Sequence, residues 1–552
     1  MRRLRHPSAL LAALVLVVAF AGLSLARRDV EPTVGRAAAV RAVLAVPRDA
    51  RLLAGTGWTS ARVTAVDRTE TRVSFLAGSR IVAEAVVTPH GGARRFIDFR
   101  ELLTPYGAPL SQRPWMLALG ALVFALATLT LPLRRARNLD ALALLALVVP
   151  LVLLDERYVV ASTLSAVPPL LWLTARCAWR GLRSAVPAAA PARPLLDALT
   201  PAWDDRRRVR LLRIAVAAAA AAVAMITISA PYTVDVAQAV MEGATLLLHG
   251  TLPYGHLPGD VFHGDTYPLL SYAAYMPLAA LMPVRDSFDV ANGALYAAAA
   301  AALLVAWLLA RAVVRWGGEG AAVPAGEDAA RAAGLRAALA WLVYPPLFSA
   351  VSSGTSDLLL AALLVGALVL ARRRLASATL LIVAGWFKLV PFALLPIWLA
   401  RLRGRRLAAA LGLVAAAAAL TWAALVLLGG AGAPMRMLRA MSYQLDRRSL
   451  QSPWLLLGVQ WLQPLAQAGV LALVAAATLR VRREPALAAD PVRLAALAGA
   501  VLLGLQLCGN YWTYLYLAWA LPCAVLALLA EAGEPSRAPA RAPAPAAALA
   551  LG

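Results

Sequence analysis

The chain has 552 residues, 61% of them hydrophobic and only 15% charged, with a mean hydropathy of +0.71. A water-soluble protein of this length would carry about 25% charged residues, so the composition excludes an ordinary soluble enzyme. Long unbroken apolar runs exclude a transmembrane barrel as well, which leaves an all-α polytopic membrane bundle. The formal net charge of +24 comes from 53 basic and 29 acidic residues. Its arginines cluster between apolar runs, where cytoplasmic retention and anionic headgroups account for them and nucleic acid is not implied. Three cysteines make neither a disulfide framework nor a metal-binding pair.

In chain order, Arg2, Arg3 and Arg5 followed by an apolar run predict an N-terminal membrane anchor or signal-like helix over residues 1–26, its start inside. Residues 27–112 are the one substantial aqueous stretch. There VGRAAAVRAVLAV predicts a helix, and TSARVTAVD, TRVSFLA and RIVAEAVVT predict three strands. Turn residues between the strands, among them Gly78-Ser79, suit an antiparallel meander. The expectation is a small extracytoplasmic α+β domain that docks a protein partner, with direct substrate contact as the alternative. Residues 113–210 predict a three-helix membrane extension and a cytoplasmic loop ending in DDRRRVR. Residues 211–531 form the main membrane domain. The Pro/Ala-rich tail over 532–552 predicts cytoplasmic disorder.

Within the main domain, residues 231–289 hold one arginine against six acids and are placed outside. The apolar stretch from Tyr267 to Pro283 is short and interrupted by proline, and predicts a re-entrant or surface-lying element. Two arginine clusters, 372–374 and 401–406, both belong inside, so the chain between them must turn back as a hairpin of short helices broken at Lys388 and Pro391. The whole count is about fourteen membrane segments with both ends in the cytoplasm. This describes a multi-pass cell-membrane protein whose site faces outward.

Three features carry chemistry. Asp235 directly follows an exiting span and opens a predicted interfacial helix over 236–248, a position suited to a general base and also to an ordinary helix-start acid. Lys388 is the single lysine in a chain that otherwise uses arginine, and it sits inside an apolar stretch. An ammonium at that depth is a functional candidate, with phosphate its natural partner and snorkelling the bland alternative. The outward loop GAPMRMLRAMSYQLDRRSLQSPW places Arg436, Arg439, Arg447 and Arg448 where short-loop arginine should be scarce, and guanidinium forks match phosphate oxygens. Tyr254, His249, His256, His263, Asp265 and Tyr267 form a candidate substrate loop. Their spacing fits no standard zinc pattern, so polar substrate contact is favoured and no metal is assigned.

The ordered pieces PYTVDVAQAVMEGATLLLHGTLPY, TYPLLSYAAYMPLAAL, VYPPLFSAVSSGTSDLLLAALLVGALVLARRR, AGWFKLVPFALLPIWL, MSYQLDRRSLQSPW and QLCGNYWTYLYLAWALP resemble the GT-C class of polytopic membrane glycosyltransferases, nearest to glycosyltransferase family 87. The resemblance covers roughly residues 211–531. It implies a bundle in which Asp235 is catalytic and Lys388, Arg447 and the adjacent Arg448 hold a lipid phosphate. It further implies a sugar such as mannose on polyprenyl phosphate as donor substrate, no separate cofactor, and a glycan or glycolipid acceptor outside the cytoplasm. Two other classes compete, a flippase or transporter of lipid-linked saccharides and a structural assembly factor. Neither gives an interfacial Asp235 a special role.

Overall fold

The computed structural model describes residues 34–529 except 66–69, 89–91, 99–108, 134, 184–192, 201–202, 258–263, 285–289, 319–326, 448 and 450. The N-terminal anchor, the tail over 532–552, His263 and Arg448 lie outside the described residues.

Two short helices, α1 (Arg36–Leu44) and α2 (Pro47–Ala54), lie against a four-stranded antiparallel sheet in sequential order: β1 (Ser60–Ala65), β2 (Thr71–Ala77), β3 (Arg80–Val87) and β4 (Ala93–Asp98). Ala77 pairs with Arg80, so Gly78 and Ser79 form a two-residue hairpin loop, and Gly78 adopts the positive φ (62°) that such a loop requires. Alternate residues Val73, Phe75, Ala83, Ala85 and Val87 face α1 and α2, where they bury Ala39, Val43 and Leu53. Trp58 packs edge-on to Phe75 at 5.2 Å. The other face of β2 is buried too, with Ser74 and Leu76 almost inaccessible, because it meets the helical part of the molecule. The fourth strand is new relative to the sequence reading: ARRFID puts adjacent arginines where an alternating apolar pattern would announce a strand.

The rest of the described chain is helical apart from its connecting loops and one short antiparallel strand pair, Thr130–Leu131 with Arg193–Pro194. Six helices are long and apolar enough to cross a membrane: α4 (Ala136–Asp155), α5 (Val159–Leu182), α6 (Asp205–Ile228), α9 (Asn292–Gly318), α15 (Gly404–Gly429) and α17 (Gln460–Arg483). A bent pair, α10 (Glu327–Leu342) and α11 (Pro345–Ser352), meets at 58° and would make a seventh. The shorter apolar helices are α3 (Pro114–Thr128), α8 (Leu269–Leu281), α12 (Asp357–Val369), α13 (Arg374–Phe387), α14 (Val390–Leu399), α18 (Pro491–Leu507) and α19 (Tyr514–Leu529). They fall below the roughly 20 residues of a simple span. Among the described residues, six helices, or seven with the bent pair, therefore reach the length of a simple span, and the shorter apolar helices make up the rest of the bundle.

The continuous core of small apolar residues runs through α5, α9, α10, α12, α18 and α19. Within α8, two short helices, Leu269–Ala273 and Met276–Leu281, replace one long one. Helix α13 stops at Phe387, Lys388 is extended (φ −143°), and a 3-10 turn from Val390 leads into the second short helix. Pro391 cannot donate an intrahelical bond, which fixes the break there.

Candidate active site

Asp235 begins helix α7 (Asp235–Leu248). Its carboxylate is exposed and accepts the Val236 N–H at 2.9 Å, so the helix dipole favours its charge. Among the described residues it makes no ion pair. One residue earlier, the Val234 N–H donates to the Ser353 carbonyl at 3.1 Å, tying this helix start to the turn after α11. Gly354 holds that turn at φ +68°, and a Cβ there would lie 3.2 Å from the Cβ of Ala237 and 3.4 Å from the Leu295 nitrogen. The turn therefore needs glycine both for its backbone and for its closeness to α7.

The same turn delivers Asp357, the first residue of α12, into the interior at 1% exposure. Thr355 Oγ1 donates to its Oδ2 at 2.7 Å, and Lys388 Nζ donates to its Oδ1 at 2.5 Å. The extended residue after α13 thus meets the start of α12. The ring of Tyr267 lies 5.4 Å from Lys388 Nζ, a cation–π arrangement. Tyr267 is itself held by its backbone, whose carbonyl accepts from Tyr254 Oη at 3.0 Å and whose N–H donates to Tyr272 Oη at 3.3 Å. Tyr272 in turn donates to the Gly264 carbonyl at 2.6 Å, and Ser271 Oγ donates to the Phe387 carbonyl just before Lys388.

The second basic group arrives from α16 (Ala433–Asp446). Arg447 follows its last turn and stacks its guanidinium 3.6 Å from the centroid of Tyr511. Tyr511 meets Tyr516 edge-on at 5.9 Å. Among the described residues Arg447 has no carboxylate within ion-pair distance. Gln444, one turn earlier, donates to Thr266 Oγ1 at 2.9 Å and fastens α16 to the Tyr267 loop. The segment after Arg447 is pinned from the other side, where Trp512 N–H donates to the Gln451 carbonyl at 3.0 Å.

These arms share one neighbourhood. The charge of Asp235 acts on Arg447, Tyr267, Tyr511 and Tyr516, and that of Asp357 acts on Tyr267 and Tyr516. The arrangement offers an exposed carboxylate free to take a proton, a stacked guanidinium free to hold an anion, and an ammonium with one of its three donors committed to Asp357.

The other residues singled out from the sequence play different parts. Arg436 Nη2 donates to the Gly429 carbonyl at 2.8 Å and caps the end of α15, while Arg439 is exposed on α16. His249 bonds the Thr245 carbonyl through Nδ1 at 2.8 Å, at the end of α7. His256 is exposed, and Asp265 accepts the Gly255 N–H at 3.2 Å, closing the loop. Tyr254 is buried and structural. Sequence reasoning passed over Asp357, although a lone acid at the head of DLLLAALLVGALV is the signal that should have drawn it out. It also passed over Tyr511 and Tyr516, which look like ordinary interfacial aromatics in NYWTYLY.

Comparison with curated proteins and with solved structures gives no match. Residues 266–505 match the family model of glycosyltransferase family 87, a stretch that includes Tyr267, Asp357, Lys388 and Arg447 and begins after Asp235. Several apolar helices surround this site, and over residues 266–505 the chain is similar to the membrane glycosyltransferases of family 87.

Proposed function

We propose that the chain transfers a sugar, with mannose the first to test, from polyprenyl phosphate to a glycan or glycolipid hydroxyl on the outer side of the cell membrane. The observation that carries this reading is the pairing of opposites around shared tyrosines. Asp235 is free of cations and Arg447 is free of carboxylates among the described residues; the Val234–Ser353 hydrogen bond ties the first to the turn that carries Asp357, and the Gln444–Thr266 hydrogen bond ties the helix before the second to the Tyr267 loop.

In the proposed step, Asp235 accepts the proton of the acceptor hydroxyl while that oxygen forms a bond to the anomeric carbon. The bond from the anomeric carbon to the phosphate oxygen breaks, its electron pair leaves with the phosphate, and the configuration inverts. Polyprenyl phosphate departs with one more negative charge than the donor phosphate carried. Arg447 and the uncommitted donors of Lys388 oppose that growing charge. Asp357 takes no part in the proton transfer. It neutralises Lys388 in an apolar surrounding and keeps the ammonium from capturing Asp235.

The test is Asp235→Asn, which retains size and removes proton affinity. With polyprenyl-phosphate mannose and a defined glycolipid acceptor in proteoliposomes, donor affinity should persist while transfer falls about a hundredfold or more, the usual scale for a lost general base. Undiminished transfer would remove Asp235 from the reaction.

A further inference from the structure

The small sheet lies outside the matched family region, yet it is built into the helical part beside the site. Leu76 and Ile81, flanking the β2–β3 turn, pack with Val159 at the start of α5 and with Leu456, nine residues after Arg447. The Ile81 N–H donates to the Arg157 carbonyl at 3.2 Å, and Arg157 adopts a left-handed conformation (φ 67°) that is otherwise confined to glycine among the described residues. Hairpin and bundle therefore share a hydrogen bond, an apolar contact and a special backbone geometry.

Alternation along β2 then decides what else faces the bundle. Leu76, Ser74 and Arg72 lie on the same side, opposite the core residues Val73 and Phe75. Ser74 is buried and donates to Glu84 Oε1 at 2.8 Å. Arg72 is half-buried, and among the described residues its guanidinium has neither a hydrogen-bond nor an ion-pair partner. Its charge acts on Tyr511, the ring on which Arg447 stacks and which Asp235 also influences. Four residues of strand reach roughly 13 Å from Leu76, enough to carry Arg72 from the docking contact towards that ring.

We propose that this face of the sheet is the wall of the acceptor subsite and that Arg72 binds hydroxyl oxygens of the incoming glycan. The inference rests on the glycosyltransferase reading and adds the side from which the acceptor enters. Arg447 and Lys388 serve the donor phosphate, whose lipid must remain in the bilayer, so a cation presented from an aqueous domain towards the Asp235 side meets the other substrate. A guanidinium with unused donors suits a polyhydroxylated partner, since each charge-assisted bond adds affinity and fixes orientation.

The experiment uses the full chain in proteoliposomes with polyprenyl-phosphate mannose and, as acceptor probes, octyl glycosides carrying one to four mannose residues. Arg72→Gln should raise the acceptor KM about tenfold, with donor KM, the slow transfer to water and melting temperature unchanged. Arg72→Lys, which keeps the charge, should recover part of the loss. An unchanged acceptor KM for Arg72→Gln alongside active wild type overturns this inference alone. So does a change confined to donor KM. Wild type that neither transfers to the probes nor hydrolyses the donor overturns the glycosyltransferase reading and this inference together.

Discussion

Asp235 and Asp357 are both aspartates at the first residue of a helix, and their surroundings make them different reagents. Asp235 is exposed and holds only its own helix amide. Asp357 is almost completely buried and closes a contact between Thr355 and Lys388. Breaking a buried pair strands a charge, so Asp357→Asn or Lys388→Met alone should lower stability by about 3–5 kcal/mol, read as a fall in melting temperature in detergent. The double variant strands nothing and should regain most of that loss. Donor affinity separates structure from function: the double variant should stay weak in a titration with polyprenyl-phosphate mannose although it is stable. If it binds donor like wild type, Lys388 has no phosphate role.

At the scale of elements, the turn that carries Gly354 is the joint between the two acids. It accepts from Val234 on one side and presents Asp357 on the other. Gly354→Ala would force a side chain into a left-handed backbone at a cost of about 1–2 kcal/mol. It would also push on Ala237 in the first turn of α7. Transfer should fall by more than donor affinity does, because the displaced group is Asp235 while Lys388 and Arg447 sit on other elements. Measuring both quantities on the same membranes checks this, and equal losses would place the damage elsewhere.

Much of this element-level structure was legible in the residues. Alternation and turn chemistry announce β1, β2 and β3 within a residue or two, and Lys388 with Pro391 announces the break after α13. The convergence was less legible, because it depends on long-range packing. Arg436, Arg439 and Arg447 are equally conspicuous in sequence, but helical rotation turns the first to a cap and the second to the exterior, and only the residue beyond the last turn reaches Tyr511. The pairing of Asp357 with Lys388 across 31 positions leaves no local trace at all.

At the scale of the molecule, the arginine distribution sets a sidedness that can be measured. Ser79 is exposed at the β2–β3 turn, and Arg207 is exposed in the first turn of α6. Native Cys177, Cys508 and Cys523 are all buried, so background labelling should be low. An impermeant maleimide should reach Ser79→Cys in intact cells and Arg207→Cys only after the membrane is opened. Labelling of both from one side, or in the reverse order, would overturn the orientation on which the proposal of an outward-facing site depends.

Helix α15 is 26 residues long, and only 6% of its apolar window is buried against the protein, with Leu420, Trp422 and Leu427 turned outward. A helix of that length extends roughly 39 Å, beyond the roughly 30 Å of a hydrocarbon core. The surplus has to be absorbed by tilt or by local thickening of the lipid. Since few neighbours brace it, the bilayer and not the protein sets its inclination. One end of this strut follows the hairpin that carries Lys388, and the other is capped by α16, which leads to Arg447. The hydrophobic thickness of the host membrane is therefore coupled to the spacing of the two cations.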